Sequence, residues 1–136
     1  MLNTVDWALL FMRVSVSLLL LKVHGLPKLL HFSQQVQVIE DPFGLGGAMT
    51  VSLAVFAEVL CPLLIIFGVF TRLACLPVIV LLLVSLLLVH PQWSLEEGQF
   101  AWLLLILFTA LTIAGGGRIA AGRSVFAWQN SLQWSH

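Results

Sequence analysis

Charge is the scarcest property of this chain. Six Lys and Arg face six Asp and Glu, so only 9% of the 136 residues are charged, while 60% are hydrophobic. Soluble domains carry about 25% charged residues, and this chain has too little polar surface to cover a water-soluble globule. The composition leaves an integral membrane protein, read as one domain over residues 1–136. Net charge is zero, so nothing points to nucleic acid as a partner. Cysteine is equally scarce. Cys61 and Cys75 lie in apolar runs rather than in a loop framework, which argues against a secreted disulfide scaffold. Small buried thiols are common, and on a reducing cytoplasmic side a redox disulfide is the minor reading of this pair. The chain also lacks GxSxG, a P-loop, CxxC and a dinucleotide fingerprint. No catalytic mechanism follows from motifs, and whether the protein is an enzyme stays open.

What the chain has in abundance is apolar runs. The first covers residues 6–23, with Trp7 as an interfacial anchor and Arg13 inside it. It has no basic n-region and no small-x-small cleavage site, so it is read as a mature span rather than a signal peptide. His24-Gly25-Leu26-Pro27 is expected to end it, because Gly and Pro weaken or break helices. Residues 28–47 are too short and polar to span. Leu29, Phe32, Val36 and Ile39 recur at helical spacing among glutamines, which predicts an amphipathic interfacial helix. Asp41-Pro42 reads as a helix start. The second span is residues 48–68. A tight turn at Val69–Arg72 leads to the third at 73–90, and the fourth is 99–114, stopped by Gly115-Gly116-Gly117. The expected fold is therefore all-α, a four-helix transmembrane bundle with an interfacial segment between spans one and two. The tail, with Arg123, Phe126, Trp128 and Trp134, reads as interfacial. Four spans place both termini on one side. Arg72, Arg118 and Arg123 lie on that side, and the positive-inside rule favours it as cytoplasmic, in a bacterial inner membrane. The similar exits Ser17–His24 and Ser85–His90 hint at two parallel hairpins.

A carboxylate or guanidinium in lipid costs at least about 2.5 kcal/mol at a helix centre and is by default a functional candidate. Glu58 sits mid-span, and Arg13 lies about 10 Å above the start of span one. The expectation is that these two face each other, either as a register-fixing ion pair or as the polar floor of a pocket. His24 and His90 leave parallel helices at the far face, and with Lys28 they would ring an opening above Glu58. Such a mouth suits an anion, a quinone headgroup or a proton. Two histidines could also ligate haem or copper, but helix-end interfacial histidines are the simpler reading, and no metal is assigned. His31 and His136 are read as surface residues. Arg72 is most simply an anchor.

Taken in order, Arg13, His24-Gly25-x-x-Lys28, Glu58, Gly68-x-x-Thr71-Arg72, His90 and Gly115-Gly116-Gly117-Arg118 resemble the DoxX family of small four-helix membrane proteins over residues 7–120. The sequence departs from the family's usual ending after Arg118, at Ala120-Ala121-Gly122. The resemblance implies a redox-linked role, since relatives look like membrane subunits of thiosulfate:quinone oxidoreductase or belong to complexes handling thiol and oxidative stress. Fold analogy alone does not fix function.

The leading expectation is a redox membrane subunit that binds a quinone or a small thiol or sulfur species. Arg13, His24, Lys28, Glu58 and His90 are the ligand-binding candidates, Arg72 and Arg118 are weaker ones, and catalytic residues stay unknown. Its partners would be the bilayer, a soluble or membrane redox protein and, less directly indicated, a second copy. The alternatives are a non-catalytic scaffold or assembly partner and a small-solute or proton pathway.

Overall fold

The computed structural model describes residues 2–120. The expectations for the tail, from Arg123 to His136, lie outside the described residues. Three helices are long and apolar enough to cross a membrane: α1 (Thr4–Leu30), α3 (Gly47–Phe67) and α4 (Thr71–Val89). A shorter apolar helix, α5 (Gln99–Ala114), completes the packing, and a small helix α2 (Phe32–Val38) lies between α1 and α3. Among the described residues there is no strand.

The helices pack through a narrow seam. Val16, Leu20, Cys61, Ile65, Cys75, Val78, Leu104, Phe108 and Leu111 form its core. Outside it, Leu18, Leu19, Val80, Ile106 and Ile113 are half or more exposed, an apolar surface that only lipid would cover. Four hydroxyls on these helices are turned to their own backbone. Ser15, Ser52, Thr109 and Thr112 each donate to the carbonyl four residues earlier, which satisfies them without water.

The first helix does not end at His24–Pro27. It continues to Leu30 because a π turn at Leu21–Gly25 absorbs the break. The Leu26 N–H bonds to the Leu21 carbonyl, and Pro27 falls at the start of the next turn, where it needs no donor. The same device occurs twice more. In α3 a π turn covers Phe56–Leu60 and precedes Pro62. In α4 one covers Ser85–Val89, closed by the His90 N–H on the Ser85 carbonyl at 2.9 Å.

The interfacial segment also differs from expectation. Its first residues extend α1, Phe32–Val38 form a separate short helix, and residues 39–46 are irregular. Asp41-Pro42 does not start a helix. The N-cap of α3 is Gly46 at φ +93. Asp41 acts from a distance: its carboxylate accepts from the Leu45 and Gly46 N–H groups and from the Thr50 hydroxyl, at 3.0, 2.8 and 2.9 Å.

Candidate functional site

Two polar regions lie at opposite ends of the packed helices, and the candidate residues divide between them. At the end where α3 meets α4, the chain turns through Gly68 at φ +73 and Phe70 at φ +51. The Arg13 guanidinium is here, not beside Glu58. Arg13 is 2% exposed, and its Nη1 donates to the Gly116 carbonyl. A Cβ added to Gly68 would lie 3.2 Å from the Arg13 Cζ. Gly68 caps the C-terminus of α3 and Gly115 that of α5. Arg13 therefore answers the negative ends of two helix dipoles. Arg72 does the same from outside, donating to the Ile113 carbonyl at 3.4 Å. The Arg118 N–H bonds to Asp6, itself held in a capping box with Asn3. The unpartnered buried atoms among the described residues are Arg13 Nε, Ser17 Oγ and Thr71 Oγ1, all in this half of the bundle.

The expected Arg13–Glu58 pair is thus corrected. The expectation set the start of α1 and the Gly68 end of α3 in one plane. In fact α1 begins about nine residues before it reaches the level of Gly68. Glu58 is ten residues further along α3, roughly 15 Å away along the bundle.

Glu58 pairs instead with Lys28. The Lys28 Nζ lies 2.7 Å from the Glu58 Oε2, with the side chains 18% and 7% exposed. It is the one salt bridge among the described residues. The local sequence explains the approach. Pro62 has no N–H to offer the Glu58 carbonyl four residues back. That carbonyl faces Gly25, where an added Cβ would lie 2.8 Å from the Glu58 carbonyl carbon and closer still to its oxygen. Only glycine lets α1 come this near. Running α1 past Pro27 then carries Lys28 to the carboxylate.

The pair floors a cavity of about 650 Å³. His24, Lys28, Glu58 and His90 all line it, whereas Arg13, Arg72 and Arg118 do not. His24 sits in the first π turn and stacks on Phe100 of α5, ring centres 5.5 Å apart. His90 ends the third π turn and lies flat on Trp93 at 3.8 Å and 2°. Leu20, Ala54, Ala57, Leu81 and Leu104 supply apolar wall, and the loops at 38–45 and 89–97 form the rim. Each of the three π turns contributes to the lining. Such turns recur at functional sites, where they displace side chains from ordinary helical positions.

Phe100, Trp93 and the Asp41 loop were not among the sequence candidates. Trp93 three residues after His90 was the available signal; nothing marked Phe100. Asp41 lies outside the spans, and its carboxyl is held below the usual range, chiefly by the Gly46 N–H and against its own desolvation.

The fold and site define an integral membrane protein of helical type, with a polar-floored cavity enclosed by its apolar helices. The family model for DoxX matches residues 8–91, well over half the chain. The chain belongs to the DoxX family. The match takes in Arg13, His24, Lys28, Glu58 and His90 and leaves α5 and the glycine turn outside it. No curated protein and no solved structure matches the chain.

Proposed function

We propose that this protein is a redox-linked membrane subunit that binds a quinone or a small thiol or sulfur species in the cavity over Lys28 and Glu58. The observation that carries the reading is the ion pair and two histidines gathered in a cavity with mainly apolar walls, with Glu40, Asp41 and Glu97 also lining it. Buried charge is expensive in a membrane and is retained where it handles a ligand or proton. A volume of about 650 Å³ falls within the range of small-molecule sites, and the His90–Trp93 and His24–Phe100 stacks offer flat faces suited to a planar headgroup. A bound quinone would supply two-electron, two-proton chemistry. Glu58 is the acceptor and Lys28 the donor that such a headgroup meets at the floor. His24 and His90 can each donate or accept on its edges.

In this reading α5 is a fourth span, and residues 28–46 lie at the interface. The end bearing Arg72 and Arg118 faces the cytoplasm of a bacterial inner membrane, by the excess of basic residues there. A soluble or membrane redox partner would exchange electrons with the bound ligand. The test is binding of a tail-less benzoquinone, followed by quenching of Trp93 fluorescence, with Trp93→Phe identifying the emitter. Glu58→Gln and His90→Ala should each weaken binding about tenfold, the loss of one buried hydrogen bond to a charged or aromatic partner. Wild-type binding in both variants would remove the proposal.

A second reading, a scaffold in which buried charge only locks the helices, is favoured by Arg13. Its partners are helix ends and a backbone carbonyl, a purely structural arrangement.

A further inference from the structure

A second hollow adjoins the cavity. It is a groove of about 510 Å³ between α3 and α4, lined among others by Phe56, Leu64, Phe70, Leu73, Pro77 and Val80. Phe56, Pro77 and Val80 also line the cavity, so the two hollows adjoin at these side chains. No charged residue lines the groove. Its flanking side chains, Phe56, Leu73 and Val80, are 45%, 65% and 59% exposed on the lipid-facing surface. From Val80 to Leu73 it runs about 10 Å along α4, away from the Lys28–Glu58 floor.

We propose that the groove holds the hydrocarbon tail of an amphiphile whose headgroup occupies the cavity. The ligand is then a lipid-soluble quinone with an isoprenoid or alkyl chain rather than a small free thiol or sulfur anion, and it enters sideways from the bilayer between α3 and α4. This rests on the cavity reading above and narrows its substrate class. The shared lining of the two spaces carries the argument. A polar-floored chamber nearer one end of the helices lies beside an uncharged groove directed toward the other end. That is the order in which a membrane amphiphile presents its head and chain. A water-borne anion would have no use for the groove.

The test uses the full chain in lipid nanodiscs and two photoreactive probes with the same chain-end diazirine. One is a benzoquinone with that chain, and the other is a fatty acid with no quinone. Peptide mass spectrometry locates the adducts. The quinone probe should label residues 64–76 several-fold more than the fatty acid does, and excess unmodified alkyl quinone should compete. Leu76→Phe, which adds bulk in the groove at a residue that does not line the cavity, should cut this labelling at least threefold while leaving Trp93 quenching by the tail-less quinone unchanged. Even labelling over all lipid-facing helices would overturn the groove assignment, as would insensitivity to Leu76→Phe. So would a cross-linked dimer that shields residues 64–76. If the tail-less quinone fails to quench Trp93 at all, the cavity reading itself falls, and the groove proposal with it.

Discussion

Replacing Gly25 by alanine probes the contact on which the cavity floor depends. The new Cβ would lie 2.8 Å from the Glu58 carbonyl carbon and 3.0 Å from the Val59 Cγ2. Ordinary carbon contacts begin near 3.5 Å, and the Glu58 carbonyl oxygen is closer still than its carbon, so α1 and α3 must part by about 1 Å. The two obstructing Glu58 atoms are backbone and cannot rotate away. The same shift would take the Lys28–Glu58 contact from 2.7 Å to about 3.7 Å, past hydrogen-bond range, unless the lysine follows. Overpacking costs about 1–3 kcal/mol, and alanine's better helix propensity returns up to about 1 kcal/mol. The expected net loss is about 1–2 kcal/mol, or a fall in Tm of roughly 4–8 °C, read by thermal unfolding in detergent. Gly98→Ala is the control: its Cβ would meet the flexible end of Leu86 at 3.2 Å, and Tm should barely move. If Gly25→Ala melts at or above the wild-type temperature, the close approach of α1 to α3 is not as described.

Double-mutant cycles separate the two buried charges. Lys28→Leu alone strands the Glu58 carboxylate and should cost about 3 kcal/mol, with Lys28→Leu and Glu58→Leu coupled by more than about 1 kcal/mol. Arg13→Leu and Glu58→Leu should be additive within about 0.5 kcal/mol in the same detergent-unfolding assay; strong coupling would restore the pairing that the structure replaces. Asp41 should make the loop before α3 acid-sensitive. Its carboxyl is held low, first by the Gly46 N–H, so its contribution is complete above the ordinary aspartate range near pH 4 and is lost as pH falls through the lowered value. Amide-exchange protection at Leu45 and Gly46 should drop there in the wild type and be low at every pH in Asp41→Ala. Ser17→Ala removes a buried hydroxyl that has no partner among the described residues and should leave Tm unchanged or raised; a fall of several degrees would show that the hydroxyl is bonded.

How much of this was legible in the sequence depends on what each residue signals. The apolar runs at residues 48–68, 73–90 and 99–114 match α3, α4 and α5 closely, because length and hydropathy alone mark such helices. His24, Lys28, Glu58 and His90 were legible as one cluster, since ionisable groups in apolar runs have few places to go. Their pairing was not. It depends on α1 continuing through Gly25 and Pro27, and breaker residues read as an end in any scheme that assumes a regular α-helix. A π turn leaves no clear mark in sequence. Neither does the offset of about nine residues between the start of α1 and the Gly68 turn, which carried Arg13 to the helix termini. Gly25 was read as punctuation, when its effect is to remove a side chain from a helix crossing. Asp41 was read as a cap at the right carboxylate but the wrong position, because Gly44 and Gly46 let the chain loop forward before α3 begins.

The central claim is that Lys28, reached through an unbroken first helix, is the partner of Glu58. Solid-state NMR in bilayers measures it directly, as dephasing of the lysine ¹⁵Nζ signal by the glutamate ¹³Cδ, with Lys28→Met to assign the signal. A nitrogen 2.7 Å from the carboxylate oxygen requires strong dephasing of the Lys28 signal and none of Lys22. Absence of dephasing at Lys28, or its appearance at the Arg13 guanidinium instead, would contradict the account.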